Sequence, residues 1–242
     1  MRLPASQFRA LGKRDLPQTI MLDGEEFQLE RAFKHAFATA VGLYRRGDDR
    51  VVCKFHRQAA FFGFPLLWQG RMWASYEVAM LRELRDLPGV PRFRGMPEPA
   101  AVARDYVPGT PLERRMRVGD DFFPQLLHLL RRIHERGIAY VDLEKPENIL
   151  LGEDGRPYLI DFQVGFYMPD RFFGQTSLGR YLRALLQRSD LYHAMKHYRR
   201  MRPDLLTVEE RALGKMRPGT VRVANALVAP FRLLRKWALG KW

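Results

Sequence analysis

A single cysteine, Cys53, stands in 242 residues, so neither a disulfide framework nor a cysteine-based zinc cluster organises the chain. No run of 18 apolar residues occurs, and no transmembrane helix is expected. Internal repeats and low-complexity segments are also missing, which argues against a solenoid or an array. The opening residues MRLPASQFRALGKRDLPQT lack an apolar core, so they do not read as a secretory signal, and a reducing, cytoplasmic setting is the default expectation. Acidic residues are scarce: 27 Asp+Glu face 41 Lys+Arg, a formal net charge of +14. What remains is a 46% apolar and 12% aromatic composition, enough for one or two packed domains and far from a disordered, collagen-like or coiled-coil chain.

The charge is uneven. Residues 191–242 hold twelve Lys/Arg and three Asp/Glu, a net of +9, which leaves only +5 on the first 190 residues. A basic tail on a nearly ordinary domain points to a local anionic partner or to a solvated helical face. It does not point to a nucleic-acid-binding protein, for which no module is visible.

Residues 1–25 read as an irregular basic lead-in. From Glu26 to Phe55 the pattern is that of strands: Phe27 and Leu29 alternate with polar neighbours, and 39–44 and 50–55 flank the turn signal Arg46-Gly-Asp-Asp49. Residues 71–87 have helical spacing, with Met72, Tyr76, Met80, Leu84 and Leu87 on one face, and Pro88-Gly-Val-Pro91 ends it. Two more strands are expected over 90–96 and 100–107. Past a break at Pro108-Gly-Thr-Pro111, a helix is expected over 121–136 with Gly137 as its C-cap, then two short strands at 149–151 and 158–160, then helices from about 177. The layout is α+β and two-lobed, with a strand-rich first part containing one main helix and a helical second part.

The densest chemistry lies in Tyr140-Val-Asp-Leu-Glu-Lys-Pro-Glu-Asn148 and in Tyr158-Leu-Ile-Asp-Phe-Gln163. Asp142, Asn148 and Asp161 each sit at the edge of an apolar run. Oxygen ligands converging there suit a hard cation such as Mg²⁺, with Asp142 left over as a base. Singly, each has an ordinary explanation: a turn cap, a loop backbone bond, a surface acid.

Together and in order, these residues resemble the protein-kinase-like superfamily. Asp142 to Asn148 looks like the catalytic loop, and Asp161-Phe162-Gln163 looks like the metal-binding Asp-Phe-Gly motif. Val51-Val-Cys-Lys54 resembles the strand that carries the phosphate-binding lysine. Glu77 is the candidate partner of Lys54, with Glu83 as a rival. Ala103-Arg-Asp105-Tyr-Val107 resembles the adenine-holding hinge, and Ile133-His-Glu-Arg-Gly137 resembles the helix end that leads into the catalytic loop.

The resemblance spans roughly residues 26–200. It implies ATP and Mg²⁺, or Mn²⁺, as cofactors. Lys54, Glu77, Lys34, His35, Asp105 and Val107 would serve the nucleotide, and Asn148 and Asp161 the metal. Asp142 would act as base, with Lys145 reaching the transferred phosphate. The implied layout is an N-lobe over 26–107, a reduced C-lobe over 108–218 and a basic amphipathic segment over 219–242.

Several features depart from that pattern. Five residues, 143–147, separate Asp142 from Asn148 where four are usual, so the loop must absorb one or displace Asp142. Tyr140-Val141 stand where His-Arg usually precede the aspartate, and Gln163 replaces a glycine. No glycine-rich phosphate loop precedes Lys54. The corresponding stretch is Ala32-Phe-Lys-His-Ala-Phe-Ala-Thr39, where backbone N–H groups, Lys34 and His35 are the available phosphate partners. No Ala-Pro-Glu motif follows Asp161.

The chain is therefore more similar to compact bacterial members of the superfamily, the lipopolysaccharide-core sugar kinases and small atypical Ser/Thr kinases. The implied acceptor is a hydroxyl on a glycolipid sugar or on protein Ser/Thr. The alternative is a kinase-like binding or scaffold module with weak catalysis. Residues 222–242, with five Lys/Arg, no acid and Trp237 and Trp242, suit contact with an anionic membrane or docking on an acidic face. His193 and His197 have metal-compatible spacing but no third ligand, and Asp190 is a candidate to bond back to the catalytic-loop backbone.

Overall fold

The computed structural model describes residues 5–167, 176–208 and 219. The basic segment 219–242 therefore lies outside the described residues, apart from Gly219. Two compact units divide the described residues: one takes in those up to Arg82 with Arg92–Tyr106, the other takes in Glu83–Pro91 and the described residues from Val107 on.

The first unit is built on a six-stranded sheet of order β1-β2-β3-β4-β6-β5, antiparallel throughout. Its strands are β1 (Thr19–Leu22), β2 (Glu25–His35), β3 (Thr39–Arg46), β4 (Asp49–His56), β5 (Phe93–Gly95) and β6 (Ala101–Asp105). In β4 the two-residue alternation of a strand separates two jobs. Val51, Cys53 and Phe55 turn to one face and join a core with Ala10, Leu11, Leu16, Ile20, Leu22, Phe27, Tyr44, Ala101 and Ala103. Burial also pushes the Cys53 thiol well above its ordinary pKa. Lys54 and His56 turn to the other face and meet helix α1 (Leu67–Glu83).

The lead-in read as irregular does cover a sheet face. Residues 5–16 hold only a short 3₁₀ turn, yet Ala10, Leu11 and Leu16 are buried and Tyr44 donates its hydroxyl to the Pro17 carbonyl. Apolar residues without a period carry no secondary-structure signal, so the packing of this segment was not legible. Helix α1 starts at Leu67, four residues before the expected 71, and it ends at Glu83 rather than 87. Gly70 lets α1 approach the chain after β4: a Cβ there would lie 2.1 Å from the Arg57 carbonyl oxygen.

The second unit holds β7 (Gly109–Pro111), α2 (Phe122–Glu135), β8 (Ile138–Ala139), β9 (Ile149–Gly152), β10 (Pro157–Leu159), β11 (Phe166–Tyr167) and α3 (Ser177–Met201). Strand β9 lies between β10 and β7, and β8 pairs with β11. The break expected at 108–111 is itself a short strand. Helix α2 matches the expectation closely. It buries Phe122, Phe123, Leu126, Leu129, Leu130 and Ile133, and it stops at Gly137, whose φ of +73° closes the last turn. Helix α3 is capped by Thr176, whose hydroxyl accepts the Gly179 N–H at 3.0 Å. It packs Leu185 and Leu186 against Ala139, with Val141 and Phe166 alongside. Among the described residues no helix is long and apolar enough to cross a membrane.

Candidate active site

In the first unit, the β4 register that sends Lys54 towards α1 brings its Nζ to 2.9 and 3.0 Å from the two carboxylate oxygens of Glu77. Both side chains are almost fully buried, at 8% and 2% exposure. Of the two carboxylates weighed for this contact, Glu77 makes it. Glu83 instead lies near Tyr167 and Arg136 in the second unit. Two residues beyond Lys54 on the same strand face, His56 sets its Nε2 3.0 Å from Glu77 Oε2. The ring N–H does not lie along that line, so His56 adds a close electrostatic contact rather than an aligned hydrogen bond. His56 was not among the expected site residues, although its i+2 spacing from Lys54 places it on the same strand face.

The hairpin between β2 and β3 occupies the place of the missing glycine-rich loop. Lys34 is exposed on β2, paired in register with Val41. His35 is held from the lead-in: Arg9 donates to its Nδ1 at 2.7 and 3.2 Å. Burial, then the Arg9 charge, lowers the His35 pKa, so the ring is an acceptor and not a cation. At the other end of the sheet, Asp105 pairs its carboxylate with Arg94 at 3.0 Å and gives its N–H to the Arg92 carbonyl. Val107, the next candidate hinge residue but one, belongs to the second unit.

In the second unit, Asp142, Lys145 and Asn148 form one hydrogen-bonded knot. The Lys145 ammonium donates to Asp142 Oδ2 at 2.5 Å, and the Asn148 amide reaches the Asp142 carbonyl and Oδ2 at 3.1 and 3.2 Å. The additional loop residue is taken up by two successive turns, Lys145 N–H to the Asp142 carbonyl and Asn148 N–H to the Lys145 carbonyl, the second opening a 3₁₀ turn over Pro146–Asn148. Asp142 is thus kept against Asn148. Asp161 comes to the same end of the β9–β10 pair: Ile149 faces Leu159, and the Ile160 N–H donates to the Asn148 carbonyl at 3.0 Å. Tyr140, fully buried, bonds its hydroxyl to the Ile160 carbonyl and so ties the two loops together.

Two backbone positions here are unusual. Asp161 sits at φ +66°, which a short polar side chain tolerates, but Val141 sits at φ +70°, which a β-branched residue rarely does. Such strain persists where the surroundings hold it in place. Asp190 on α3, 1% exposed, does so: its carboxylate accepts the N–H groups of Tyr140 and Val141, both at 2.7 Å, and lies 3.0 Å from His134 Nε2. His197 is buried and donates from Nε2 to the Leu143 carbonyl at 2.9 Å. Desolvation lowers its pKa.

Asn148 and Asp161 are hard oxygen donors placed together, a set that suits Mg²⁺, which needs few protein ligands beside phosphate oxygens and water. Among the described residues no group of three or more His, Cys, Asp or Glu forms a self-sufficient metal cage.

No family model matches the chain, and no curated protein matches it by sequence. By fold it is similar to the crystal structure of a Rio2 kinase–ADP/Mg²⁺–phosphoaspartate complex from Chaetomium thermophilum, with a TM-score of 0.54 at 16% identity over 83% of this chain and 65% of that one. It is equally similar to a second crystal structure of Rio2 kinase from that organism, with a TM-score of 0.53, 15% identity, and 83% and 66% coverage. The chain therefore spans just under two thirds of the structures it matches. Its fold is protein-kinase-like, with a strand-rich unit containing one main helix followed by a reduced helical unit.

Proposed function

We propose that this chain, a protein-kinase-like fold with a buried lysine–glutamate pair, is an ATP-dependent phosphotransferase that delivers the γ-phosphate to a hydroxyl. The buried Lys54–Glu77 pair carries the reading. A desolvated ion pair is a poor source of stability compared with apolar residues of the same volume, so its presence is best accounted for by a ligand that needs the charge. Lys54 holds phosphate oxygens and Glu77 aims it. Asn148 and Asp161 hold Mg²⁺, or Mn²⁺, which when bound neutralises phosphate charge. Asp142 accepts the proton of the attacking hydroxyl as the new O–P bond forms and the bond to the ADP oxygen breaks. Lys145, bonded to Asp142, stands where it can steady the transferred group.

The acceptor belongs to the class served by compact bacterial members of this superfamily: a sugar hydroxyl of a lipopolysaccharide-type glycolipid, or a protein Ser/Thr. On this reading residues 26–107 and 108–218 are the N- and C-lobes. The basic segment 219–242 gives a cytoplasmic enzyme a peripheral hold on an anionic inner-membrane face, and nucleic acid is not a partner.

The test is turnover of radiolabelled Mg-ATP with a fractionated lysate. Label is expected in a glycolipid or protein fraction with the wild type and in none with Asp161→Asn, while Asp142→Asn keeps nucleotide binding and loses transfer by about 10²–10⁴-fold. Undiminished turnover by Asp161→Asn would overturn the metal assignment.

A further inference from the structure

The β2–β3 tip, Ala36-Phe37-Ala38, lacks the glycines that shape a phosphate loop. Its carbonyls are captured from within the protein. The Ala36 carbonyl accepts the Ala10 N–H at 2.8 Å, and the Phe37 carbonyl accepts Arg57 Nη1 at 2.9 Å. Among the described residues nothing accepts from the N–H groups of Phe37 and Ala38, whereas Ala36 N–H closes the turn on the Thr39 carbonyl.

Arg57 is the hub of this arrangement. It is 3% exposed, and among the described residues no carboxylate pairs with it. Its Nη2 also donates to the carbonyls of Gln7 (2.9 Å) and Ala60 (3.0 Å), and its guanidinium lies 3.9 Å from the Phe37 ring centroid and 5.4 Å from that of Phe61. The Gly70 contact described above holds α1 against the Arg57 backbone. A buried guanidinium whose Nη1 and Nη2 donate to three main-chain carbonyls, beside two aromatic faces, ties three chain segments together: the lead-in, the tip and the loop after β4. Orienting carbonyls one way leaves the tip N–H groups facing the other, where successive amides form an anion-binding concavity.

We propose that Arg57 is a positioning residue for nucleotide phosphate: it locks the Ala36–Ala38 tip with the Phe37 and Ala38 N–H groups free for phosphate oxygens, replacing glycine-given flexibility with a rigid brace. This rests on the ATP reading above. Arg57 acts through the tip and does not itself touch the nucleotide.

The discriminating experiment measures Kd for Mg-ATP and for adenosine on the full chain, with amide hydrogen exchange at Ala10 and Ala36, in wild type, Arg57→Lys and Arg57→Met. Arg57→Met is expected to weaken Mg-ATP about tenfold, leave adenosine within about twofold, and speed exchange at both amides about tenfold or more. Arg57→Lys, which keeps the charge but not the fork of donors, falls between. Equal weakening of ATP and adenosine, or unchanged exchange at Ala36, overturns the proposal while leaving the kinase reading intact. A wild type that binds no Mg-ATP overturns both. Should Arg57→Met fail to fold, Phe37→Leu takes its place: it removes the nearer aromatic face, and the same selective loss of phosphate affinity is expected of it, its absence counting against the brace.

Discussion

Removing the buried charges one at a time and then together separates a structural pair from one retained for a ligand. At 2.9 Å and an effective dielectric near 20, Lys54 and Glu77 attract by about 6 kcal/mol, while taking each ion out of water costs several kcal/mol, so the pair as a whole contributes close to nothing. Lys54→Met takes the ammonium away from the buried Glu77 carboxylate, and Glu77→Leu takes that carboxylate away from the buried ammonium. Each is expected to cost about 3–5 kcal/mol by urea titration, a fall in Tm of roughly 10 °C for a chain of this size. The double variant Lys54→Met/Glu77→Leu should recover most of that loss, ending within about 1–2 kcal/mol of the wild type or above it. Mg-ATP binding, read by calorimetric titration, should be lost in all three. Single variants costing under about 1 kcal/mol would refute the desolvation reasoning. A double variant that binds Mg-ATP as the wild type does would refute the functional assignment of the pair.

Asp190→Ala frees two buried N–H groups and an imidazole at once and should destabilise the second unit by about 3 kcal/mol or more in urea, a loss that Asp190→Asn only partly restores because one amide oxygen cannot accept both bonds as a carboxylate does. His197 has its pKa lowered by burial, so the unfolded chain binds the proton more readily; stability should be complete above the ordinary histidine value of about 6.5 and fall as pH drops below it, and a pH series of Tm that is flatter in His197→Gln than in wild type checks this. Gly70→Ala, a change that ordinarily favours a helix by about 1 kcal/mol, should instead destabilise, because its Cβ would sit 2.1 Å from the Arg57 carbonyl; a raised Tm would show that α1 does not pack there.

The strand-rich and helical halves were legible because their patterns are local. Alternation at Phe27 and Leu29 placed β2, the turn signal at 46–49 placed β3 and β4, a four-residue period placed α1, and Gly137 stopped α2. The site residues were legible by their order along the chain rather than by any period, and the structure brings Lys54 to Glu77, and Asp142, Lys145 and Asn148 to each other. What stayed hidden depends on distant partners. Nothing in Arg57 or His56 alone tells that one is ringed by carbonyls from three segments and the other rests on the Glu77 carboxylate. The strain at Val141 was equally unreadable, since it exists only because Asp190, 49 residues later, grips its amide.

The burial of Cys53 has a practical consequence for the bench. Because the one native thiol is enclosed in the β4 face and held protonated, it should stay silent toward maleimides and methanethiosulfonates. Two cysteines introduced on the surface, one at an exposed site of each unit, could then be spin-labelled without deleting anything native. The distance distribution between them, with and without Mg-ATP, would report directly on whether nucleotide alters their separation.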